Sequence, residues 1–271
     1  MITLALPLSL SVLVVASTIA AACPTVAENR VDIYPTAKEL PANLLRLYIY
    51  FPRAMTAEEG SRHVALLDDK GARVNGAFLA TNQELWSPDR DRLTLLLDPG
   101  RVKSGLAAHE VLGRALVPGQ SYTLVISGAA IDARGCPLGA DVVHNFSVVG
   151  PDYDTPNPVA WSIGSPRVNS SEPVKVDLGS THDHLSMAYR LRVVDDKSEI
   201  VPGAIELGPE EKSWHFVPRE PWAEVTYNLV VDERLEDLAG NRPGVLFDRP
   251  VSAEPTEWQS HLSFLPTKDD G

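Results

Sequence analysis

The sequence predicts an all-β protein in which two tandem β-sandwiches follow a signal peptide. Three observations lead to this prediction. Short apolar runs alternate with polar residues at the period of two that a half-buried strand requires, as in residues 45–51. The 22 prolines disfavour long helices over most of the chain. An internal repeat divides the remaining residues into two copies.

The composition is that of a folded, acidic protein. Its 271 residues are enough for two domains of about 100 to 150 residues each. Apolar residues make up 44% and charged residues 22%, as in ordinary globular proteins. The 24 basic and 36 acidic residues give a net charge of −12. Because binding to nucleic-acid phosphates needs a net basic face, we expect no nucleic acid among the partners.

Residues 1–22 are predicted to be a signal peptide. They carry no charged side chain, are mostly Leu, Val, Ile and Ala, and end in three alanines before Cys23. The first residues lack the usual Lys or Arg, so the signal is atypical, and a retained N-terminal membrane anchor is the alternative. We therefore expect an exported protein that is periplasmic, an outer-membrane lipoprotein or extracellular.

Cys23 has two possible fates. Together with the alanines before it, Cys23 resembles the lipobox of bacterial lipoproteins, which implies lipidation of Cys23 and a membrane partner through that anchor. Ordinary cleavage after Ala22 would instead allow a disulfide with Cys136, the only other cysteine. In either case, residues 23–36 are predicted to form a polar tether in front of the folded part.

The repeat is visible as short motifs that recur along the chain. The matched positions are Asp68 with Asp195, Val74 with Val201, Trp86 with Trp214, Tyr122 with Tyr227 and Asp132 with Asp237. The offset falls from 128 at the tryptophans to 105 at the tyrosines, which predicts an insertion between Trp86 and Tyr122. Since Trp86 and Trp214 are matched, core packing is the favoured interpretation of both.

Each copy contains about seven short strands with a turn signal roughly every 8 to 12 residues, which is typical of an immunoglobulin-like sandwich. The predicted boundaries are 37–150 for the first domain, 151–158 for a proline-rich linker, 159–250 for the second domain and 251–271 for a poorly ordered tail. Within the tail, the aromatic residues Trp258 and Phe264 could still dock on the fold.

Two motifs resemble those of a known family. Phe-Pro-Arg-Ala-Met at 51–55 ends a strand, and Asp-Leu-Ala-Gly-Asn at 237–241 follows a Tyr-x-Leu-x-Val strand. Both are similar to the bacterial Ig-like domain of the S-layer protein (SbsA) type. The resemblance implies a secreted or surface-attached sandwich module without enzyme activity. The copies depart from one another in that Cys136 stands where the second has Asn241, and residues 179–182 stand where the first has 51–55.

The sequence contains none of the common catalytic or cofactor-binding motifs, so we predict no enzyme activity and no cofactor. The most suggestive cluster is His182, Asp183 and His184. In an extended segment the two imidazoles would point the same way and could bind zinc or copper. The alternative is that Asp183 caps a short turn before Leu185.

Two further groups of residues are weaker candidates. Asp152 and Asp154 could bind calcium together with Asp132 or Asp237, although solvated linker acids and turn-forming aspartates are the simpler interpretation. Trp161 and Trp222 could stack on sugar rings if they lie on an exposed face.

The leading functional prediction is a non-catalytic bacterial envelope or extracellular protein that acts as a binding or spacer module. Its expected partner is an unknown envelope protein or a polysaccharide. One alternative is a carbohydrate-binding surface protein that uses the two tryptophans. Another is a metal-binding or enzymatic role centred on residues 182–184.

Overall fold

The computed structural model describes residues 23–25, 28–57, 60–103, 111, 113–248 and 260–268. Over these residues the chain forms two β-sandwiches in succession, as predicted. The strands of the first are β1 (Asp32–Tyr34), β2 (Glu39–Pro41), β3 (Arg46–Tyr50), β4 (Val64–Leu67), β5 (Leu85–Trp86), β6 (Arg92–Leu96), β7 (Ser121–Ile126) and β8 (Val142–Val149). Those of the second are β9 (Ser162–Ile163), β10 (Val174–Asp177), β11 (Leu191–Val194), β12 (Gly203–Leu207), β13 (Ser213–Pro218), β14 (Tyr227–Val231) and β15 (His261–Phe264).

In the described ranges, short helices accompany the strands. Helix α1 (Pro99–Val102) follows β6, and helix α2 (His184–Arg190) precedes β11. Single 3-10 turns cover Ser61–His63, Pro158–Ala160 and Pro209–Glu211.

The strand order identifies both sandwiches as immunoglobulin-like. In the first, the sheet β1-β3-β6-β5 packs face to face on the sheet β2-β8-β7-β4, and β2 runs parallel to β8. In the second, the sheet β12-β13-β10-β9 packs on the sheet β11-β14-β15. With the strands of the second sandwich lettered A to G in chain order, these sheets are ABED and CFG, the arrangement of constant-type immunoglobulin domains.

Each sandwich has its own apolar core, built from alternate residues of its strands. In β7, Tyr122, Leu124 and Ile126 are buried while the residues between them are half exposed. In β14, Tyr227, Leu229 and Val231 follow the same pattern. This period of two is the one read from the sequence.

The matched tyrosines make equivalent contacts in both copies. The Tyr122 hydroxyl accepts a hydrogen bond from the Val117 backbone N–H at 2.9 Å, and the Tyr227 hydroxyl accepts one from Ala223 at 3.1 Å. Strands β7 and β14 both take the place of strand F, and a tyrosine at the start of strand F that bonds the backbone just upstream is the tyrosine corner of immunoglobulin-like domains. The corner fastens the connection between the two sheets in each copy.

The tryptophan pairing in the repeat was wrong, although both rings do pack on a core. Trp86 lies on the edge strand β5, which corresponds to β12 of the second sandwich, whereas Trp214 lies on β13, which corresponds to β6. Leu93 of β6 instead takes the place of Trp214, since Ile49 pairs with Leu93 as Val176 pairs with Trp214. The two tryptophans looked equivalent in the sequence because the core accepts an aromatic ring from either strand.

The first copy carries the predicted insertion between β6 and β7. Between β6 and β7 there are 24 residues, whereas 8 separate β13 from β14. Helix α1 opens this longer connection, with Asp98 as its N-cap.

The segments predicted to be loose at both ends of the fold contain strands. Within the expected tether 23–36, β1 pairs with β3. Within the expected tail 251–271, β15 pairs with β14 and completes the three-stranded sheet, where Phe264 is buried. Short edge strands were missed because they contain only three or four residues and little alternation. Residues 1–22 and Trp258 lie outside the described part of the chain.

Candidate functional site

The N-terminal segment is joined covalently to the first sandwich. Cys23 forms a disulfide with Cys136, 113 residues further along. A sulfur in a disulfide cannot also carry a lipid thioether, so the structure favours this alternative over the expected lipid anchor on Cys23. Nearby, the Asn29 side chain donates to the Leu138 carbonyl and accepts from Arg53.

Asn241, at the position equivalent to Cys136, fastens the segment before the second sandwich. Its side-chain amide donates to the carbonyls of Asp152 and Asp154 in the linker, at 3.3 and 3.1 Å. Asn43 of the first sandwich both donates to and accepts from the Asp152 backbone, at 2.7 and 2.8 Å. The same position of the repeat therefore holds each domain's incoming chain, once by a covalent bond and once by hydrogen bonds.

The two repeated aspartates shape identical loops, as the turn-forming interpretation predicted. One oxygen of Asp132 accepts the N–H groups of Arg134 and Cys136, and one oxygen of Asp237 accepts those of Ala239 and Asn241. An aspartate that bonds N–H groups further along its own loop stabilises a tight turn.

The electrostatic surroundings of these two aspartates are opposite. Burial alone would raise the pKa of Asp132, but hydrogen bonds from the Cys136 N–H and from Arg53 lower it to about 2. Burial raises the pKa of Asp237 to about 7, and the negative charge of Asp152 adds to this increase. Among the residues that the structure describes, arginines pair with the aspartate of the first copy and not with that of the second.

The interface between the sandwiches lies on the outer face of β3. Alternate residues of this strand enter the core, whereas Tyr48 points to the other face and is nonetheless only 1% exposed. Its hydroxyl donates to the carboxylate of Asp183, whose oxygens lie at 2.8 and 3.0 Å. On the same face, Arg46 Nε lies 3.5 Å from Asp183, and a second nitrogen of its guanidinium pairs with Glu236.

A second set of contacts flanks this pair. The buried carboxylate of Glu211 accepts two hydrogen bonds from Thr36, from the backbone N–H at 2.8 Å and from the hydroxyl at 3.1 Å. The Tyr34 ring stacks on His184, with centroids 3.6 Å apart. The Leu45 N–H donates to the carbonyl of Leu238 in the second sandwich. These bonds satisfy the Glu211 carboxylate and the Leu45 N–H, whereas Arg46 Nε and His184 Nδ1 are buried without a hydrogen-bond partner among the described residues.

The histidine cluster does not form the extended metal-binding pair that the sequence offered as one candidate. Asp183 is the N-cap of α2 and accepts the Ser186 N–H at 2.8 Å, so the capping alternative is correct. His182 lies before the helix, and its ring packs edge-on against Trp161. His184 lies in the first turn and stacks on Tyr34, so the two imidazoles have different surroundings.

His182 occupies a core position of the repeat. Its backbone forms an isolated β-bridge with Asp237, as the backbone of Met55 does with Asp132 in the first copy. The side chains of His182 and Met55 are both buried. Burial lowers the pKa of His182 to about 4, so the ring is neutral near pH 7. No group of three or more His, Cys, Asp or Glu side chains that could hold a metal ion occurs in the described ranges, whether at 182–184 or at Asp152 and Asp154.

The two tryptophans proposed for sugar stacking are not on an exposed face. Trp161 is 7% and Trp222 is 1% exposed, and both belong to the core of the second sandwich. The Trp222 indole N–H donates to the Glu172 carbonyl at 2.7 Å, which satisfies its polar edge inside the fold. Their stacking role is therefore corrected to core packing.

The interface residues Arg46, Tyr48, Thr36 and Glu211 were missed in the sequence. A signal was present, because every outward position of β3 carries a long side chain with a polar end: Arg46, Tyr48 and Tyr50. On a solvated face such a run is ordinary, so the sequence alone did not distinguish it from a covered face.

Asp152→Asn is expected to change how stability depends on pH. With its pKa raised, Asp237 holds a proton in the folded state between about pH 4 and 7 that the unfolded chain has lost, so its stabilising contribution is present below pH 4 and lost as pH rises to 7. The substitution would remove the neighbouring charge, and the side-chain oxygen of the asparagine would still accept the Asp154 N–H. Thermal melts from pH 4 to 7 should show the variant gaining about 1 kcal/mol on the wild type as pH rises.

The buried histidine changes stability with pH in the opposite direction. Its contribution cancels when the stability of the variant is compared with that of the wild type. His182, with its lowered pKa, makes the folded state more stable as pH rises from about 4 to 6.5. Both proteins contain it equally. A stability difference that stays flat from pH 4 to 7 would contradict the coupling of Asp237 to Asp152.

Comparisons with known proteins give no relative at the level of sequence. No protein-family model matches the chain, and no curated protein matches it. Among solved structures, the chain is similar to the MG0-NIE-MG1 region of native alpha-2-macroglobulin from Escherichia coli, with 12% identity, 87% of this chain and 71% of that chain covered, and a TM-score of 0.28. It is also similar to the four N-terminal Ig domains of Dscam1 isoform 6.44, with 10% identity, 86% and 50% covered, and a TM-score of 0.26.

A third similar structure is that of the tandem Ig repeats of Dlar, with 10% identity, 75% of this chain and 90% of that chain covered, and a TM-score of 0.24. Scores this low add nothing about function, and the fold assignment rests on the strand order. In the described part of the chain, no helix is long and apolar enough to cross a membrane. The protein is thus an all-β chain of two immunoglobulin-like sandwiches.

Proposed function

We propose that this chain is an exported, non-catalytic module of the bacterial envelope or extracellular space, in which two Ig-like domains of the S-layer type act as a binding or spacer unit. One observation carries the proposal: the sandwiches share a buried, hydrogen-bonded interface. A spacer must keep its domains in one orientation, and the contact of Tyr48 with Asp183 does this from within the interface.

The linker supports the same role. Three prolines restrict it, and the side chains of Asn43 and Asn241 hold its backbone from either domain. Flexible linkers leave the geometry of neighbouring domains open, whereas a clamped linker transmits position along the chain. The tandem is therefore suited to presenting a surface at a set distance from its attachment point.

Export is supported by the cysteine pairing. Disulfides form and persist in oxidising compartments and are rare in the cytosol, and the Cys23–Cys136 bond lies directly after the predicted signal peptide. A freely secreted or periplasmic protein suits this pairing better than a protein anchored through Cys23. The partner that the unit would bind stays an envelope protein or a polysaccharide.

Small-angle X-ray scattering of the exported protein tests the fixed orientation. We expect one rigid two-domain arrangement to reproduce the scattering profile, with no dependence on salt over the range that screens surface charges. The Asn43→Ala variant removes both side-chain contacts to Asp152 and should broaden the distribution of distances. A wild-type profile that requires freely hinged domains would show that the spacer role is wrong.

A further inference from the structure

A cleft at the junction of the two sandwiches concentrates arginine side chains. Its volume is about 430 Å³, and its lining includes Arg46, Tyr48, Tyr189, Arg190, Arg234 and Arg242. Both sandwiches contribute, Arg46 and Tyr48 from β3 of the first and the other four from the second. The cleft exists only while the interface holds the domains together.

The four guanidinium groups come from four separate parts of the chain. They lie on β3, at the end of α2, in the loop after β14 and just beyond the Asp-x-x-Gly turn. In a chain with a net charge of −12, such convergence is not expected from composition. Guanidinium groups repel one another, so their clustering is favourable only where anions lie among them.

The carboxylates in and beside the cleft do not balance these arginines. Arg46 pairs with Asp183 and Glu236, while Arg190 and Arg234 share the single carboxylate of Asp232. Within the described ranges, the side chain of Arg242 has neither a hydrogen bond nor an ion pair. Four arginines thus face three carboxylates, which leaves one positive charge in excess.

The cleft is also accessible to solvent, and the residues at its base are buried. Asp183 and Ser186 at its base are buried, and Tyr48 is held by its hydrogen bond to Asp183. At the rim, the side chain of Arg234 is 60% exposed and Tyr189 is 72% exposed. A concave surface onto which several hydrogen-bond donors converge, next to an exposed aromatic ring, can hold an anionic ligand.

We propose that this cleft binds a carboxylate or phosphate group of a ligand, which Arg234 and Arg242 hold by charged hydrogen bonds while Tyr189 packs against the ligand's adjacent part. The fork of N–H donors on arginine matches the paired oxygens of both anions. Arg46 and Tyr48 position the base of the site and need not touch the ligand. The inference goes beyond the proposed spacer role and does not depend on it.

Titration of the exported protein with three probes at low salt tests the site. The probes are inorganic phosphate, trigalacturonate, which carries carboxylates on sugar rings, and neutral maltotriose. We expect phosphate or trigalacturonate to bind with a dissociation constant of about 1 mM or lower, and maltotriose not to bind. Binding of phosphate alone assigns a phosphate-bearing ligand, and binding of trigalacturonate in preference assigns a sugar acid.

The variants locate the binding. The double variant R234A/R242A should weaken binding at least about tenfold, and R242A alone about threefold. R242A removes no side-chain hydrogen bond or ion pair of the folded chain described here, so weaker binding by this variant cannot be attributed to unfolding. The matched control R192A/R219A removes two exposed arginines outside the cleft and should stay within about twofold of the wild type.

Two results would overturn the inference. One is that neither anionic probe binds up to about 20 mM. The other is that R192A/R219A weakens binding as much as R234A/R242A, since binding would then follow overall charge and not the cleft. Either result leaves the scattering test of the spacer role unaffected, so the two proposals fail separately.

Discussion

Replacing Asp183 with alanine is expected to lower the free energy of unfolding by about 3 kcal/mol. The carboxylate caps α2, accepts the Tyr48 hydroxyl and lies 3.5 Å from Arg46 Nε. Its loss would leave a buried hydroxyl without its acceptor and a largely buried guanidinium with one partner fewer. Breaking a buried pair from one side is costly because the remaining charge stays desolvated.

Matched variants separate the contributions of Asp183. Asp183→Asn keeps an acceptor for the Ser186 N–H and removes only the charge, so its loss should be about half as large. Asp196→Ala removes the same charge from an exposed turn and should change stability by less than about 0.5 kcal/mol. Urea unfolding followed by tryptophan fluorescence measures all three. Equal stability of Asp183→Ala and Asp196→Ala would contradict the buried role of Asp183.

Removing the disulfide by the double substitution Cys23→Ser and Cys136→Ser is expected to lower stability by about 4 kcal/mol. The bond joins residues 113 apart, so the unfolded chain is constrained by a long loop. It also holds the N-terminal segment against the first sandwich, next to the loop of Asp132. Thermal unfolding with and without reductant measures the effect, and the reduced wild type should match the double variant.

Counting thiols in the same exported protein distinguishes the two fates of Cys23. With the disulfide formed, alkylation should label no thiol before reduction and two after it. A lipid-anchored protein would label one thiol, at Cys136, before reduction and would incorporate palmitate. That outcome, or equal stability of the wild type and the double variant, would show that the pairing is wrong.

The sequence alone predicted the strands and the turns between them. Alternation in β3, β7 and β14 follows directly from the geometry of a half-buried strand. The matched aspartates Asp68 and Asp195 shape equivalent turns by accepting N–H groups two and four residues on. The repeat predicted two sandwiches because each copy contained the strands of a whole domain. These features depend on residues near one another in the chain.

The edges of the domains required the tertiary structure. Strand β15 contains four residues and is stable only because β14 supplies hydrogen bonds and Phe264 enters a core that already exists. Likewise, β1 forms against β3. Such segments have no strong local preference, so their structure follows from pairing and not from pattern.

The candidate site was decided by tertiary structure almost entirely. Asp183 was correctly predicted as a cap, since a cap depends on its own helix. That Tyr48 faces Asp183, that Trp222 is buried and that four arginines share one cleft depends on how two separately built sandwiches meet. The sequence determined which face of each strand is apolar, but a polar face looks the same whether water or another domain covers it, and only the packed chain settles which.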